Sequence, residues 1–316
     1  MKKFLKIFLS VIIIIMLIIF CIISLNGIGK EIPNEKIIHH TEPEIKTNHK
    51  ISLNVIETAF GRTLEGFVRA GGSFFKEKLI SHNAVVIKHP KGNIMIDGGL
   101  GMREGQDFKQ IPFYLKPFFY YKFKQPAKDV LDKYNIKINK IILTHMHWDH
   151  VGSIRDFESM EVITRKEEFE FAKTEMAEPP AYIKSQYLDS ENFTLIEFSN
   201  IPYEIFSKSF DIYNDGSIVL VPLEGHSPGS IGIFVNISQK ERYFFIGDIT
   251  WMLEGIIYSS HKYYISSLLV DFNKENLGKE INRIHQFAKL HPEIRIIPSH
   301  DFVAYWGIER LNLFDQ

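Results

Sequence analysis

Thr144-His145-Met146-His147-Trp148-Asp149-His150 places four metal-ligating side chains within six residues. The apolar, β-branched run Ile141-Ile142-Leu143 leads directly into it. The motif is therefore expected on the connection leaving the end of a buried strand. Imidazole nitrogen and carboxylate oxygen suit zinc-like ions, and catalytic sites leave a position for water. Four such ligands so close together do not easily wrap one ion. They can split into two pairs, each serving its own ion.

Outward from this stretch, three more candidates follow other apolar runs. His226 lies in Glu224-Gly225-His226-Ser227-Pro228-Gly229-Ser230, after the run ending at Pro222. Asp248 follows Ile246-Gly247, and His300 lies in Ile297-Pro298-Ser299-His300-Asp301. Each comes just after a strand candidate with a small or turn residue beside it, where a rigid frame presents ligands. A lone His-x-His is ordinary surface decoration. A lone Gly-His-Ser-Pro is usually a turn, and a lone Gly-Asp a helix entry. The conjunction points to a metal centre. His82, His89, His261, His285 and His291 lack such context and read as structural or surface groups.

The spacing of apolar residues predicts strands over 52–57, 84–89, 93–96, 141–143, 162–164, 194–198, 210–213, 217–222, 231–236, 243–246 and 294–297. Helices are predicted over 128–134 and 274–290. Strands dominate with helices interspersed, which indicates an α/β sandwich built as one domain, residues 51–316.

The ordered set resembles the metallo-β-lactamase superfamily across residues 51–316. Gly225-His226-Ser227-Pro228-Gly229 is close to that family's second motif, and the hairpin ending at Asp97-Gly98 is similar to its early strand pair. The resemblance implies a four-layer αββα sandwich and two divalent metal ions. It assigns His145, His147 and His226 to one ion and Asp149, His150 and His300 to the other, with Asp248 bridging. Zinc is the expected metal, though iron, manganese and cobalt accept the same mixed donors. Two ions sharing a water bring its pKa toward neutrality and polarise a carbonyl or phosphoryl oxygen. The implied catalytic residues are Asp248, fixing the metal separation, and Asp149, orienting the nucleophile or moving a proton.

Asp149 beside His150, with Asp248 bridging, is unlike the lactamases that use cysteine at the second site. The pattern is similar to acyl-homoserine lactone lactonases, glyoxalase II and transfer-RNA-processing nucleases. Only 16 residues follow His300, too few for the helical addition of glyoxalase II, and no basic exosite insertion stands out. The resemblance thus implies a lactonase-like hydrolase cleaving a small ester or lactone. The alternatives are a phosphodiesterase, nuclease or thioesterase of the same superfamily, or a non-catalytic, metal-stabilised binding module at the membrane. One position departs from the lactonase pattern. Those enzymes often carry tyrosine three residues after the bridging aspartate, where this chain has Trp251, a donor only through its indole N–H. Tyr258, Tyr263 and Tyr264 are the nearby substitutes.

Composition narrows the partners. The chain has 316 residues, 45% hydrophobic and 24% charged, with 37 Lys+Arg against 38 Asp+Glu. Broad electrostatic capture of nucleic acid needs a concentrated basic face, so no nucleic-acid partner is expected. The single cysteine, Cys21, lies in an apolar run, which rules out an intramolecular disulfide and a cysteine metal ligand in the soluble part.

Lys2, Lys3 and Lys6 precede a run from Ile7 to Leu25 interrupted only by Ser10 and Ser24. A helix of about 20 residues spans a hydrocarbon core of roughly 30 Å. No Ala-x-Ala pattern follows, and Phe20 before Cys21 is not the small residue a bacterial lipoprotein needs. Residues 1–25 are therefore expected to be a transmembrane anchor with its basic end in the cytoplasm and the catalytic domain extracytoplasmic. If they are instead a cleaved signal, the protein is secreted. Residues 26–50 read as a polar tether, with His39, His40 and His49 as solvated linker groups. Residues 110–125 carry seven aromatics and three lysines. They could wall an acyl pocket, sit at the headgroup layer beside the anchor, or pack as a loop on the core. Pro112 and Pro117 exclude one continuous helix.

Overall fold

Alternation along the strands decides which core each side chain enters. In the strand leading to the histidine motif, Ile142 packs into one apolar cluster and Ile141 into another. That is the pattern of a sheet buried on both faces. The computed structural model describes residues 2–32, 43, 45, 50–190 and 192–313. The expectations for His39, His40 and His49 lie outside the described residues.

In chain order the elements begin with α1 (Lys2–Asn26), β1 (Ser52–Leu64), α2 (Glu65–Val68), β2 (Glu77–Lys88), β3 (Ile94–Ile96), α3 (Glu104–Gln110) and β4 (Lys122–Phe123). They continue with α4 (Ala127–Lys133), β5 (Lys140–Ile142), β6 (Glu161–Arg165), α5 (Lys166–Ala172), β7 (Phe193–Ile196), β8 (Phe210–Asp211) and β9 (Ile218–Pro222). The last are β10 (Ile231–Asn236), β11 (Arg242–Phe245), α6 (Leu253–Ile257), α7 (Tyr264–Val270), α8 (Lys274–Leu290), β12 (Ile294–Ile297) and β13 (Glu309–Arg310).

One sheet has eight strands, in the order β13-β1-β2-β3-β5-β6-β7 with β4 paired to β1. The other has five, β12-β11-β10-β9-β8. Both are mixed: β3, β5, β6 and β7 run parallel, as do β11 and β12, while β1–β2–β3 and β8–β9–β10–β11 are antiparallel. Val55, Ile87, Ile96 and Ile142 of the first sheet meet Leu220, Ile231, Ile233 and Phe245 of the second. On the outer face of the first, Ile56, Met95 and Ile141 pack on Val130 and Leu131 of α4. On the outer face of the second, Phe234 and Phe244 pack on Leu277, Ile281, Ile284 and Phe287 of α8. The layers run helix, sheet, sheet, helix.

Most predicted strands are present within one or two residues. The exceptions are β1, which runs on to Leu64 rather than ending at residue 57, and β2, which begins at Glu77 rather than residue 84. Its first half, Glu77-Lys78-Leu79-Ile80-Ser81-His82-Asn83, is too polar to read as a strand. It pairs nonetheless with the far end of β1.

Within α1, Lys6–Asn26 has mean hydropathy 3.4 and buries only its last residue, Asn26, so it is long and apolar enough to cross a membrane or serve as a signal segment. The described residues that follow lie on the domain. Asn26 Nδ2 donates to Gly72 O at 2.8 Å, and Gly71 N donates to Asn26 O at 2.7 Å. His261 N donates to Gly29 O, Ile32 N donates to Ser259 O, and the Ile32 side chain joins the outer core under α8.

The aromatic segment is split between inside and outside. Ile111 is buried with Leu100 and Trp148, and Phe108, Leu115, Phe119, Tyr121 and Phe123 pack against them. Phe113, Tyr114, Phe118 and Tyr120 face outward.

Candidate metal centre

The seven residues picked out by the sequence meet in one place, at the ends of β5, β9, β11 and β12. One ligand atom each from His145, His147 and His226 lies within 4.8 Å of the others, and so do those of His145, His150 and Asp248. A third group joins Asp149 and His300 to His82. His145 Nε2 and His226 Nε2 are 3.1 Å apart. Asp248 Oδ2 lies 3.6 Å from His226 Nε2 on one side and 3.1 Å from His300 Nε2 on the other. Asp248 therefore lies between His226 and His300.

Local backbone geometry makes this possible. Gly225, just before His226, has φ +125°, and a Cβ there would meet Leu277 N at 2.3 Å. Only glycine lets the chain turn that tightly against α8. Asp97, after β3, takes the left-handed conformation at φ 52°, an uncommon one for a residue with a side chain.

That conformation points its carboxylate at the histidine motif. Thr144 N donates to Asp97 Oδ1 at 2.7 Å, and Thr144 Oγ1 donates to Oδ2 at 2.8 Å. His150 Nδ1 also lies 2.8 Å from Oδ2. His226 Nδ1 lies 2.7 Å from Asp271 Oδ1, and His300 Nδ1 lies 2.9 Å from Ser81 O. Each acceptor fixes the proton on Nδ1 and turns the Nε2 lone pair inward, the usual outer support of a metal-binding imidazole.

The charges suit a cation. Burial, reinforced by the neighbouring imidazoles, holds the pKa of His145 and of His147 well below the ordinary histidine value. Burial and Lys262 lower that of His226. These three rings are neutral donors. Burial acts to raise Asp149 and Asp248, but His150 and His300 outweigh it and hold both below the usual carboxylate range. Burial likewise opposes the charge on His150 and His300, yet the surrounding carboxylates raise both. Bound divalent ions would replace those protons. His150 Nε2 and Asp248 Oδ1 are buried and, among the described residues, have no hydrogen-bond partner. Buried polar atoms are otherwise almost always paired, so the donor set fits a metal.

Five supporting residues escaped the sequence reading. His82, read there as structural or surface, places Nδ1 3.0 Å from Asp149 Oδ2. In the sequence Asp97 stands out only as the end of a hairpin. Asp271 bonds His226, and Lys262 Nζ donates to Asp271 Oδ1 at 2.8 Å and to Asp248 O at 2.5 Å. Glu168, fully buried, ties the two motif loops together. Its Oε1 accepts from Met146 N, and its Oε2 accepts from Ser227 Oγ and Gly229 N. Trp251 donates its indole N–H to Asp248 Oδ2 at 3.0 Å. Tyr258 stacks under Arg69, and Tyr263 points its hydroxyl toward Ile22 of α1.

Comparison with known proteins agrees with this architecture. N-acyl homoserine lactonase AttM of Azorhizobium caulinodans is 24% identical over 177 residues, 54% of this chain and 65% of that protein. A probable metallo-hydrolase of Mycobacterium tuberculosis is 22% identical over 235 residues, 71% of this chain and 75% of the other. Among solved structures, an N-acyl homoserine lactone hydrolase with N-hexanoyl-L-homoserine at its catalytic metal centre superposes with TM-score 0.62. It is 18% identical, over 83% of this chain and 95% of that one. The dizinc quorum-quenching lactonase AidC superposes with TM-score 0.57 at 13% identity, over 87% and 93%. At these identities the structures establish the fold. The family model for the metallo-beta-lactamase superfamily matches residues 78–300, and with that match the chain belongs to this superfamily of metal-dependent hydrolases.

Proposed function

We propose that the chain is a dinuclear hydrolase that cleaves a small ester or lactone, with a catalytic domain over residues 51–316 held outside the cytoplasm by α1. The observation that carries this reading is the position of Asp248, whose Oδ2 lies 3.6 Å from His226 Nε2 and 3.1 Å from His300 Nε2. His145, His147 and His226 would hold one divalent ion, and Asp149, His150 and His300 the other, with zinc the first candidate. Two such ions supply an acidified water and a polarised substrate carbonyl.

The chain's own residues do the rest. Asp97, Asp271 and the Ser81 carbonyl fix the rings that would carry the ions. His82 holds one oxygen of Asp149 and so sets which oxygen faces the centre. Trp251 stands where lactonases often carry tyrosine. Its N–H is committed to Asp248, so this residue steadies the bridging carboxylate. The lactonase relatives support an acyl ester or lactone as substrate.

The test is purification of the full chain in detergent, metal analysis, and assay against lactones, thioesters and bis-p-nitrophenyl phosphate. Two equivalents of metal and lactone turnover, lost in His147→Ala and Asp248→Asn, are expected. One equivalent of metal, or turnover of the phosphodiester alone, would overturn the proposal.

A further inference from the structure

Four aromatic side chains within eight residues turn away from the protein. Phe113 is 84% exposed, Phe118 72% and Tyr120 77%, with Tyr114 close behind. The segment is not loose, because Ile111, Leu115, Phe119 and Tyr121 seat its other side against Trp148 and Leu100. Contiguous exposed apolar surface held in place this way marks an interaction site. From Phe108 to Phe123 the chain also carries Lys109, Lys116 and Lys122 and no acidic residue, while Lys124 pairs with Glu57 at 2.7 Å. Exposed rings interleaved with lysines match the headgroup layer of a bilayer, where rings sit at the interface and ammonium groups meet anionic phosphates.

The position of this patch selects its partner. Lys122 pairs with Phe60 of β1, and a Cβ on Gly61 would lie 2.6 Å from Tyr120 O. The patch therefore flanks the late part of β1. Gly61 is three residues from Leu64, about 10 Å at ~3.3 Å per residue. Beyond Leu64 comes the turn that returns as β2. That turn carries Gly72, whose carbonyl accepts the Asn26 side chain at the end of α1, and Phe75, which is fully exposed. The end of the apolar helix, Phe75 and the aromatic patch thus share one end of the β1–β2 ribbon. The inward side of the same segment borders the metal centre. Tyr121 meets His82 edge-on at 5.7 Å, and His82 bonds Asp149.

We infer that Phe75 and residues 113–120 form a surface that lies on the anionic lipid bilayer holding α1. The rim of the metal centre is thereby set at the headgroup layer. An acyl ester or lactone partitioned into lipid reaches the site along this shelf without crossing bulk water. The inference rests on the anchoring reading above, and the test separates the two.

The full chain is reconstituted into vesicles of phosphatidylcholine and phosphatidylglycerol and labelled on cysteine with an environment-sensitive nitrobenzoxadiazole dye. The native Cys21 reports on the helix. Cys21→Ser with Phe118→Cys reports on the patch. Cys21→Ser with Lys240→Cys reports on the β10–β11 turn, at the strand ends away from the metal ligands. The expected result is blue-shifted emission, quenched by doxyl-labelled lipid, at positions 21 and 118, and water-like, unquenched emission at 240. Quenching at 21 with position 118 behaving like 240 overturns the inference and leaves the anchor standing. No quenching at either 21 or 118 overturns both. As a second readout, Phe113→Ser/Phe118→Ser/Tyr120→Ser should raise KM for a long-chain acyl lactone in vesicles by about tenfold and leave a water-soluble short-chain lactone unaffected. Equal effects on the two substrates would overturn delivery from the bilayer.

Discussion

Asp97 accepts from His150 Nδ1 at 2.8 Å through the same oxygen that accepts from Thr144 Oγ1, while its other oxygen takes Thr144 N. Asn at position 97 must place its amide N–H₂ against one of these donors. If it faces His150, the imidazole proton moves to Nε2 and the ring stops being a ligand. Loss of an outer partner of this kind typically weakens metal binding about 10–100-fold. Asp97→Asn should therefore release the ion expected at Asp149, His150 and His300 first. Asp271→Asn should release the one at His145, His147 and His226. Stepwise chelator titration of each variant, followed by metal analysis, checks this. Loss of both ions in parallel in either variant would contradict the division into two sites.

Lys262 and Asp271 form a fully buried ion pair, 2.8 Å apart, beneath Asp248 and His226. Burial pushes the Asp271 pKa up, but Lys262 and the His226 hydrogen bond outweigh it and bring it down to about 2. Removing one member of a buried pair leaves an uncompensated charge and costs about 3–5 kcal/mol. Lys262→Met should lower stability by that order in denaturant unfolding. Adding Asp271→Asn should recover part of the loss, because the stranded charge disappears. A double variant as unstable as the sum of the singles would show that the two do not act as a pair.

The seven proposed ligands were legible because each follows an apolar strand within a few residues, so local order in sequence is order at the sheet edge. Their supports were not. His82 sits in the polar half of β2, and its facing depends on pairing with β1 beyond an irregularity between Glu57 and Ala59. Nothing local fixes that register. Glu168 belongs to α5, and Lys262 and Asp271 flank α7. These helices have seven residues each, too few turns to show a period. Helix α8, with 17 residues and Leu277, Ile281 and Ile284 on one stripe, was legible for the opposite reason.

Metal removal should loosen the protein as well as silence it. Without divalent ions, two neutral-imidazole nitrogens face each other at 3.1 Å, and the carboxylates are balanced chiefly by protonated His150 and His300. A ligand held at a thousand times its dissociation constant adds about 4 kcal/mol to stability. Dialysis against a strong chelator should lower Tm by several degrees, and zinc should restore it. A Tm indifferent to chelation would show that the centre is not a tight metal site.

His261 gives the docked segment after α1 a pH dependence of its own. Its ring is buried against Gly29 and Gly278, and its backbone N–H bonds Gly29 O. Burial, then Lys274 and Lys262, push its pKa down to about 4, against about 6.5 in an unfolded chain. The folded form thus binds fewer protons than the unfolded form between these values. Its contribution to stability is complete above pH 6.5 and is lost as pH falls toward 4. His261→Asn removes the titrating group, so the fall of Tm across that window should be shallower in the variant than in the wild-type chain. Identical acid-side slopes would show that the ring titrates freely and that Asn26–Ile32 does not hold it buried in solution.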